Sequence, residues 1–313
     1  MGGAIKIGTR GSALALWQAN WVKSFLEAAR PVRDIELVPI KTKGDKILDV
    51  PLAKVGGKGL FVKEIEDALL NGQIDIAVHS MKDMPAEIPE GLCIGAICER
   101  ENPYDVLISR TGHTLSGLKS GALIGTSSLR RAAQLLHIRP DLEILPLRGN
   151  LDTRIRKLET GNMDAIILAA AGVKRLGLEN RITEYLDDTV MLPAVGQGAL
   201  CIEIRENDPE IEPIVSGLNH PDTRTVVLGE RAFLHRLEGG CQVPMAAHGK
   251  IAGGRFSLCG LVASIDGKTV IKDTLSGPAG ASESIGTALA ERLLSLGAKT
   301  ILESLTSDSD IGS

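Results

Sequence analysis

Ala4-Ile5-Lys6-Ile7-Gly8-Thr9 is followed, after Arg10-Gly11-Ser12, by Ala13 to Ala29, in which Leu14, Trp17, Trp21 and Phe25 recur three or four residues apart. Alternation over a few residues marks a strand, and the wider spacing marks an amphipathic helix. Ile35-Glu36-Leu37-Val38-Pro39 gives a second strand, Leu60 to Leu70 a helix with Gly72 just beyond as a stop, and Ile74-Asp75-Ile76-Ala77-Val78 a third strand. The order βαβαβ predicts a mostly parallel sheet, hence an α/β fold.

The pattern recurs after Asn102. Tyr104 to Ile108, Ala122 to Gly125, Glu143 to Leu147 and Ala165 to Ala169 read as strands, with helices over Ser128 to His137 and Leu151 to Leu158. Gly198 to Ile204 is a late strand suited to returning to the first sheet. Two hinged lobes follow, with ligands expected in the cleft at the carboxyl ends of the strands. From about Thr223 the character changes: a helix over Thr225 to Leu237, a hairpin from Arg255 to Ala263 and Thr269 to Leu275 around Asp266-Gly267, and a helix from Ser282 to Leu296 make a small α+β unit. The expected division is 1–99 with 198–217 as the first lobe, 103–193 as the second and 222–313 as the α+β domain. The tail after Glu303, rich in Ser and Asp, reads as frayed.

A chain of 313 residues is long enough for two or three cores. Its 43% hydrophobic and 24% charged residues are ordinary for a globular protein, and no apolar run is long enough to span a bilayer. The start lacks a basic segment followed by an apolar one, so export is not expected. Cys93, Cys98, Cys201, Cys241 and Cys259 are an odd, dispersed set, which suits a reducing cytoplasm rather than a disulfide scaffold. No C-x-x-C or H-x-x-x-H spacing supports a metal site. The net charge of -4 is uneven: Thr126 to Lys157 carries seven basic against three acidic residues. A local positive field in an acidic chain points to a small anionic ligand, and two Trp, two Tyr and four Phe give few stacking platforms for nucleic acid.

Several motifs fit that field. Gly125-Thr126-Ser127-Ser128-Leu129-Arg130-Arg131 puts hydroxyls and two arginines at a strand-to-helix junction, where unpaired N–H groups favour an anion; a plain N-cap is the alternative use of the same hydroxyls. Arg148-Gly149-Asn150 and Arg154 could add forked donors. The glycine-rich loop Lys54-Val55-Gly56-Gly57-Lys58-Gly59-Leu60-Phe61 is superficially similar to a phosphate loop but has Gly59 where Ser or Thr is needed, so it reads as a basic lid. His79-Ser80-Met81-Lys82-Asp83 ends a strand and holds the one acid among these basic motifs, and a turn aspartate before Pro85 is its plainer role. In Glu238-Gly239-Gly240-Cys241-Gln242-Val243-Pro244, glycines and a proline frame a cysteine that is either a reactive thiol or a small buried hydrophobe.

Together with Gly8-Thr9-Arg10-Gly11-Ser12, these motifs, in their order and spacing, strongly resemble the porphobilinogen deaminase (hydroxymethylbilane synthase) family. The resemblance runs from about Ile5 to the final helix. It implies two lobes like periplasmic binding proteins plus the small third domain, and a dipyrromethane cofactor joined through a thioether to Cys241. It implies a transferase that condenses four porphobilinogen units head to tail with loss of ammonia and releases hydroxymethylbilane by hydrolysis. It implies cofactor binding by Lys82, Asp83, Thr126, Ser127, Ser128, Arg130, Arg131, Arg148 and Gly149, and substrate binding by Arg10, Ser12, Arg148, Arg154 and Arg175. Asp83 is implied as the catalytic group, and Lys54, Lys58 and Phe61 as the lid. A monomer without nucleic-acid or membrane partners is expected. Ala13 departs from the proline of many relatives, at a position without chemistry. A two-lobed binding protein for a dicarboxylate is the rival; it requires neither Asp83 among basic groups nor a cysteine on a Gly-Gly loop.

Overall fold

The computed structural model describes residues 3–29, 34–46, 59–237 and 243–310. In chain order the strands are β1 (Ile5–Thr9), β2 (Ile35–Pro39), β3 (Ile76–Ser80), β4 (Leu92–Ile97), β5 (Asp105–Ser109), β6 (Leu123–Gly125), β7 (Glu143–Leu145), β8 (Ala165–Ala169), β9 (Glu184–Leu186), β10 (Leu200–Arg205), β11 (Met245–Ala252), β12 (Arg255–Ala263) and β13 (Val270–Pro278). They form three sheets, ordered β2-β1-β3-β10-β4, β7-β6-β8-β5-β9 and β11-β12-β13.

The first two sheets share one plan. β1 is parallel to β2 and β3, and β6 to β7 and β8; β10 is antiparallel to β3 and β4, and β5 to β8 and β9. The sheets are mostly parallel, as expected, four strands of each running one way with one antiparallel strand, β10 or β5, for a topological reason. β5 is the first strand after the chain crosses to the second sheet, and β10 the first after it crosses back. Both crossings leave from strand ends at the cleft, so the entering strand must run away from it. The carboxyl ends of β1, β3, β6, β7 and β8 consequently face one cleft, as α/β topology favours.

The Ala13–Ala29 helix has the expected bounds but not the expected face. Ala15, Ala19, Val22 and Leu26 are buried against the sheet, while Trp17, Trp21 and Phe25 remain 37–39% exposed. Small residues let the helix approach closely, and the aromatic stripe lies outside that contact.

The third sheet is antiparallel and gains a strand, β11, beyond the expected hairpin. Its helices, Pro221–Arg236 and Ser282–Leu293, close a core around Phe233, Phe256 and Leu289. Pro221 starts its helix four residues earlier than expected because His220 caps it, its ring accepting from Thr223 N–H at 3.2 Å. The final helix breaks at Gly297 and resumes as Lys299–Asp310, so the part of the expected frayed tail within the described residues, 304–310, is helical.

The third unit braces the crossings. Buried Glu230 accepts from Arg100 Nη1 (2.7 Å), Gly196 N–H (2.7 Å) and Gly249 N–H (2.8 Å), tying both crossing segments to β11. The Pro221–Arg236 helix also packs Val227 against Met81 and Met84, and its Arg231 donates to the carbonyls of Pro85 and Ala86 at 2.9 Å. No helix among the described residues is long and apolar enough to cross a membrane.

Candidate active site

β3 ends two residues later than the sequence suggests, which separates His79 from the turn it was grouped with. His79 lies within the strand, and its Nε2 meets Glu203 Oε2 of β10 at 3.0 Å, both side chains buried. Glu66 is buried nearby, and burial, with the Glu203 charge, pushes its carboxyl up to about 7. What projects from the strand end is the single turn Met81–Asp83. Buried Met81 and Met84 anchor it, and Lys82 and Asp83 between them are half-buried.

Across the cleft, two helices begin side by side. Ser127 Oγ donates to Leu147 O and accepts from Leu147 N–H, both at 3.0 Å, so the loops after β6 and β7 are latched together. Ser128 caps the Leu129–Ile138 helix, with Arg131 N–H at 3.5 Å, and its own N–H donates to Thr126 Oγ1 at 3.2 Å. Asn150 caps the Leu151–Thr160 helix through Thr153 N–H at 3.0 Å. Gly149 precedes it at φ +113, a backbone state that glycine adopts without strain. Of these hydroxyls Ser128 serves as the cap, Ser127 as the latch and Thr126 as the acceptor for Ser128 N–H. Two adjacent helix N-termini still give the cleft wall a positive field.

The two arginines of this motif turn inward. Arg130 Nη1 donates to Asp105 Oδ2 at 2.7 Å and to Leu192 O at 2.7 Å; Arg131 donates through Nε and Nη2 to Asp105 Oδ1 at 3.0 and 2.7 Å. Gln197 Nε2 adds a bond to Asp105 Oδ1 at 3.1 Å. Burial alone would raise the Asp105 carboxyl, but the Arg130 and Arg131 charges overcome it and hold the group well below the carboxylate range. Asp105 is the buried counter-ion that sequence reasoning missed. The available signal was a charge opening an otherwise apolar strand, which needs a partner if buried.

Lys82, Arg148 and Arg154 are different: among the described residues none forms an ion pair. Burial first, then the Arg131 charge, pushes Lys82 down to about 8, with Asp83 and Asp105 pulling it back. Burial and Arg131 likewise lower Arg154 to about 10, Asp83 opposing and Arg148 adding. These couplings place Lys82 and Asp83 of the first lobe opposite Arg131, Arg148 and Arg154 of the second. Five cations against Asp83 and Asp105 leave an excess positive charge, which fits a ligand carrying several carboxylates.

Other expected residues make separate contacts. Arg10 is paired with Asp45 and lies over the Phe61 ring, 4.3 Å from its centroid. Ser12 Oγ accepts from Ala15 N–H at 3.3 Å, at the start of the first helix. A cavity of about 20 Å³, room for one water, is bordered by Arg10, Phe61 and Asp83. Arg175 is not brought to the Arg131 group: its Nη2 donates to Gly198 O at 2.7 Å and its guanidinium lies 5.9 Å from the Trp17 ring. A larger cavity, about 490 Å³, is lined by Ser109, Arg110 and Arg181 at the opposite end of the second sheet, so size does not mark the cleft. Lys54, Lys58 and Cys241 lie outside the described residues. Three described thiols are poor nucleophiles: burial pushes Cys98 up to about 12, Cys201 well above its ordinary value, and Cys93 upward.

Two α/β lobes joined by a double crossing, with a cationic cleft and a carboxylate on its wall, define a class of protein that encloses a small polyanion. Residues 5–213 match the family model described as the porphobilinogen deaminase dipyromethane cofactor binding domain, and residues 225–295 match the porphobilinogen deaminase C-terminal domain. Similar proteins include the porphobilinogen deaminases of Pelobacter propionicus (59% identical, covering 96% of each chain) and Geobacter metallireducens (59% identical, covering 95% of this chain and 93% of that one). The chain belongs to the porphobilinogen deaminase family. Among solved structures it is similar to a probable amino-acid ABC transporter extracellular-binding protein from Bacillus subtilis (TM-score 0.43, 11% identity, 70% of this chain and 90% of that one).

Proposed function

We propose that this chain is a hydroxymethylbilane synthase: a transferase that condenses four porphobilinogen units head to tail, releases ammonia at each step, and hydrolyses the linear tetrapyrrole from its primer. The observation that carries the reading is Asp83, beside Lys82 on one wall of the cleft, facing Arg148 and Arg154 on the other, the three cations free of paired carboxylates among the described residues. Porphobilinogen brings an acetate and a propionate per ring, and a lengthening chain multiplies them. Cys241 would hold the dipyrromethane, which when bound would supply the pyrrole carbon from which the chain is extended. Lys82, Thr126, Ser127, Ser128, Arg130, Arg131, Arg148 and Gly149 would hold its carboxylates and frame them, with Arg130 and Arg131 set by Asp105.

Substrate would be held by Arg10, Ser12, Arg148, Arg154 and Arg175. Loss of ammonia leaves positive charge on the incoming pyrrole, and Asp83 stabilises that charge as it develops. Lys54, Lys58 and Phe61 would cover the reacting ring and keep water out. The three units proposed are 1–99 with 198–217, 103–193 and 222–313. We place the enzyme in the cytoplasm as a monomer; free thiols at Cys93, Cys98, Cys201 and Cys259 suit a reducing compartment.

Purified protein given porphobilinogen should release one ammonia per unit consumed and form hydroxymethylbilane; consumption without a linear tetrapyrrole would contradict the reading. The same assay carries a pH prediction. Lys82 is depressed to about 8, so its cation is complete below that value and lost as pH rises through it. Approaching carboxylates favour the charged form, so kcat/KM should decline above about pH 8. Lys82→Arg keeps the charge and should move this limb upward by a unit or more, since arginine stays protonated. An unmoved limb would remove Lys82 from the binding set.

A further inference from the structure

Arg10 is held on two sides. Its Nε (3.1 Å) and its Nη2 both donate to Asp45 Oδ1, so one carboxylate oxygen sits in the guanidinium fork, with Oδ2 at 3.4 Å from Nε. Its guanidinium lies 4.3 Å from the Phe61 ring centroid. Asp45 in turn is fixed by Thr42, which donates its N–H (3.2 Å) and its buried Oγ1 hydroxyl (2.8 Å) to Oδ2. Phe61 is fixed against Gly44, where any Cβ would fall 2.2 Å from the ring. A carboxylate and a flat ring thus meet one guanidinium at the edge of the cavity that Asp83 also borders.

We infer that Asp45 is a built-in competitor for Arg10, a carboxylate that occupies the guanidinium fork in the place of a substrate carboxylate and is displaced when porphobilinogen binds. The inference rests on Arg10 as a substrate-binding residue. Exchange of one carboxylate for another keeps the cation paired throughout, whereas a neutral substituent offers nothing to replace Asp45. The pair thereby makes Arg10 selective for an acidic side chain on the incoming pyrrole. Asp45 and Arg10 side chains are 27% and 26% exposed, so an incoming ligand can reach the contact.

The test uses the holoenzyme. Asp45→Asn keeps the side-chain volume and an oxygen for both Thr42 bonds but removes the charge. KM for porphobilinogen should fall about twofold to fivefold, the range expected for losing a partly exposed ion pair, with kcat close to wild type. Thr42→Val, which removes one anchor of Asp45, should shift KM in the same direction by less. Arg10→Gln should raise KM, and adding Asp45→Asn to it should produce no further fall. An unchanged or raised KM in both Asp45→Asn and Thr42→Val, each still melting cooperatively, overturns the inference alone. An unchanged KM in Arg10→Gln overturns the role of Arg10, and the competition with it.

Discussion

Asp83→Ala should slow turnover about a thousandfold while leaving the thermal unfolding transition close to that of the unchanged protein. The turn that carries Asp83 is held by buried Met81 and Met84 and by the Met84 N–H bond to Met81 O at 3.1 Å, none of which involves the carboxylate. Among the described residues Asp83 has no ion-pair partner, so its removal strands no buried charge. Its worth lies in the charge that develops when ammonia departs. At a separation of about 4 Å and an effective dielectric near 20, a carboxylate stabilises a unit cation by roughly 4 kcal/mol. That is about three powers of ten in rate. Asp83→Asn should be nearly as slow, because it retains shape without charge; near-normal ammonia release from either variant would end the assignment.

Asp105→Ala should act through stability instead. Asp105 is fully buried and accepts from Arg130, Arg131 and Gln197, so truncation leaves two buried guanidinium groups without their counter-ion. Breaking a buried ion pair by removing one partner costs about 3–5 kcal/mol. A chemical denaturation curve should show a loss of that order, centred on the second lobe, and Gln197 should lose protection from amide exchange alongside it. If the variant instead melts like the unchanged protein, Arg130 and Arg131 are not held by Asp105 in solution. The two predictions separate roles that look alike in sequence: Asp83 faces the cleft, and Asp105 faces the core.

The parts of the fold legible in the sequence are those with strong local pattern. β2, β8 and the Ala13–Ala29 helix have the expected bounds because short β-branched apolar runs and three-to-four spacing mark them. β11 was not legible: Met245–Ala252 is rich in Ala and Gly, poor strand formers, and is a strand because its small residues admit Phe256, which a Cβ at Gly249 would meet at 2.6 Å. The aromatic stripe of the first helix shows the converse, a periodic pattern that does not face the core.

The candidate site divides in the same way. Positions at strand ends, Lys82, Asp83 and Thr126 to Ser128, follow from topology. Partners far apart in sequence do not: Asp105 for Arg130 and Arg131, Asp45 for Arg10, and Glu203 for His79 are set by strand order and crossing, which local sequence does not encode. Arg175 lies at Gly198 rather than with Arg131, so its proposed part in substrate binding draws on the family resemblance, not on its neighbours in the cleft.

The central claim is a primer covalently held at Cys241 in a cleft built for its carboxylates, and the intact mass of the protein purified without added ligand tests it most directly. An excess equal to two linked pyrroles, absent from Cys241→Ser together with all ammonia release, is the expected result. Active protein of unmodified mass, or an excess that persists in Cys241→Ser, would contradict it.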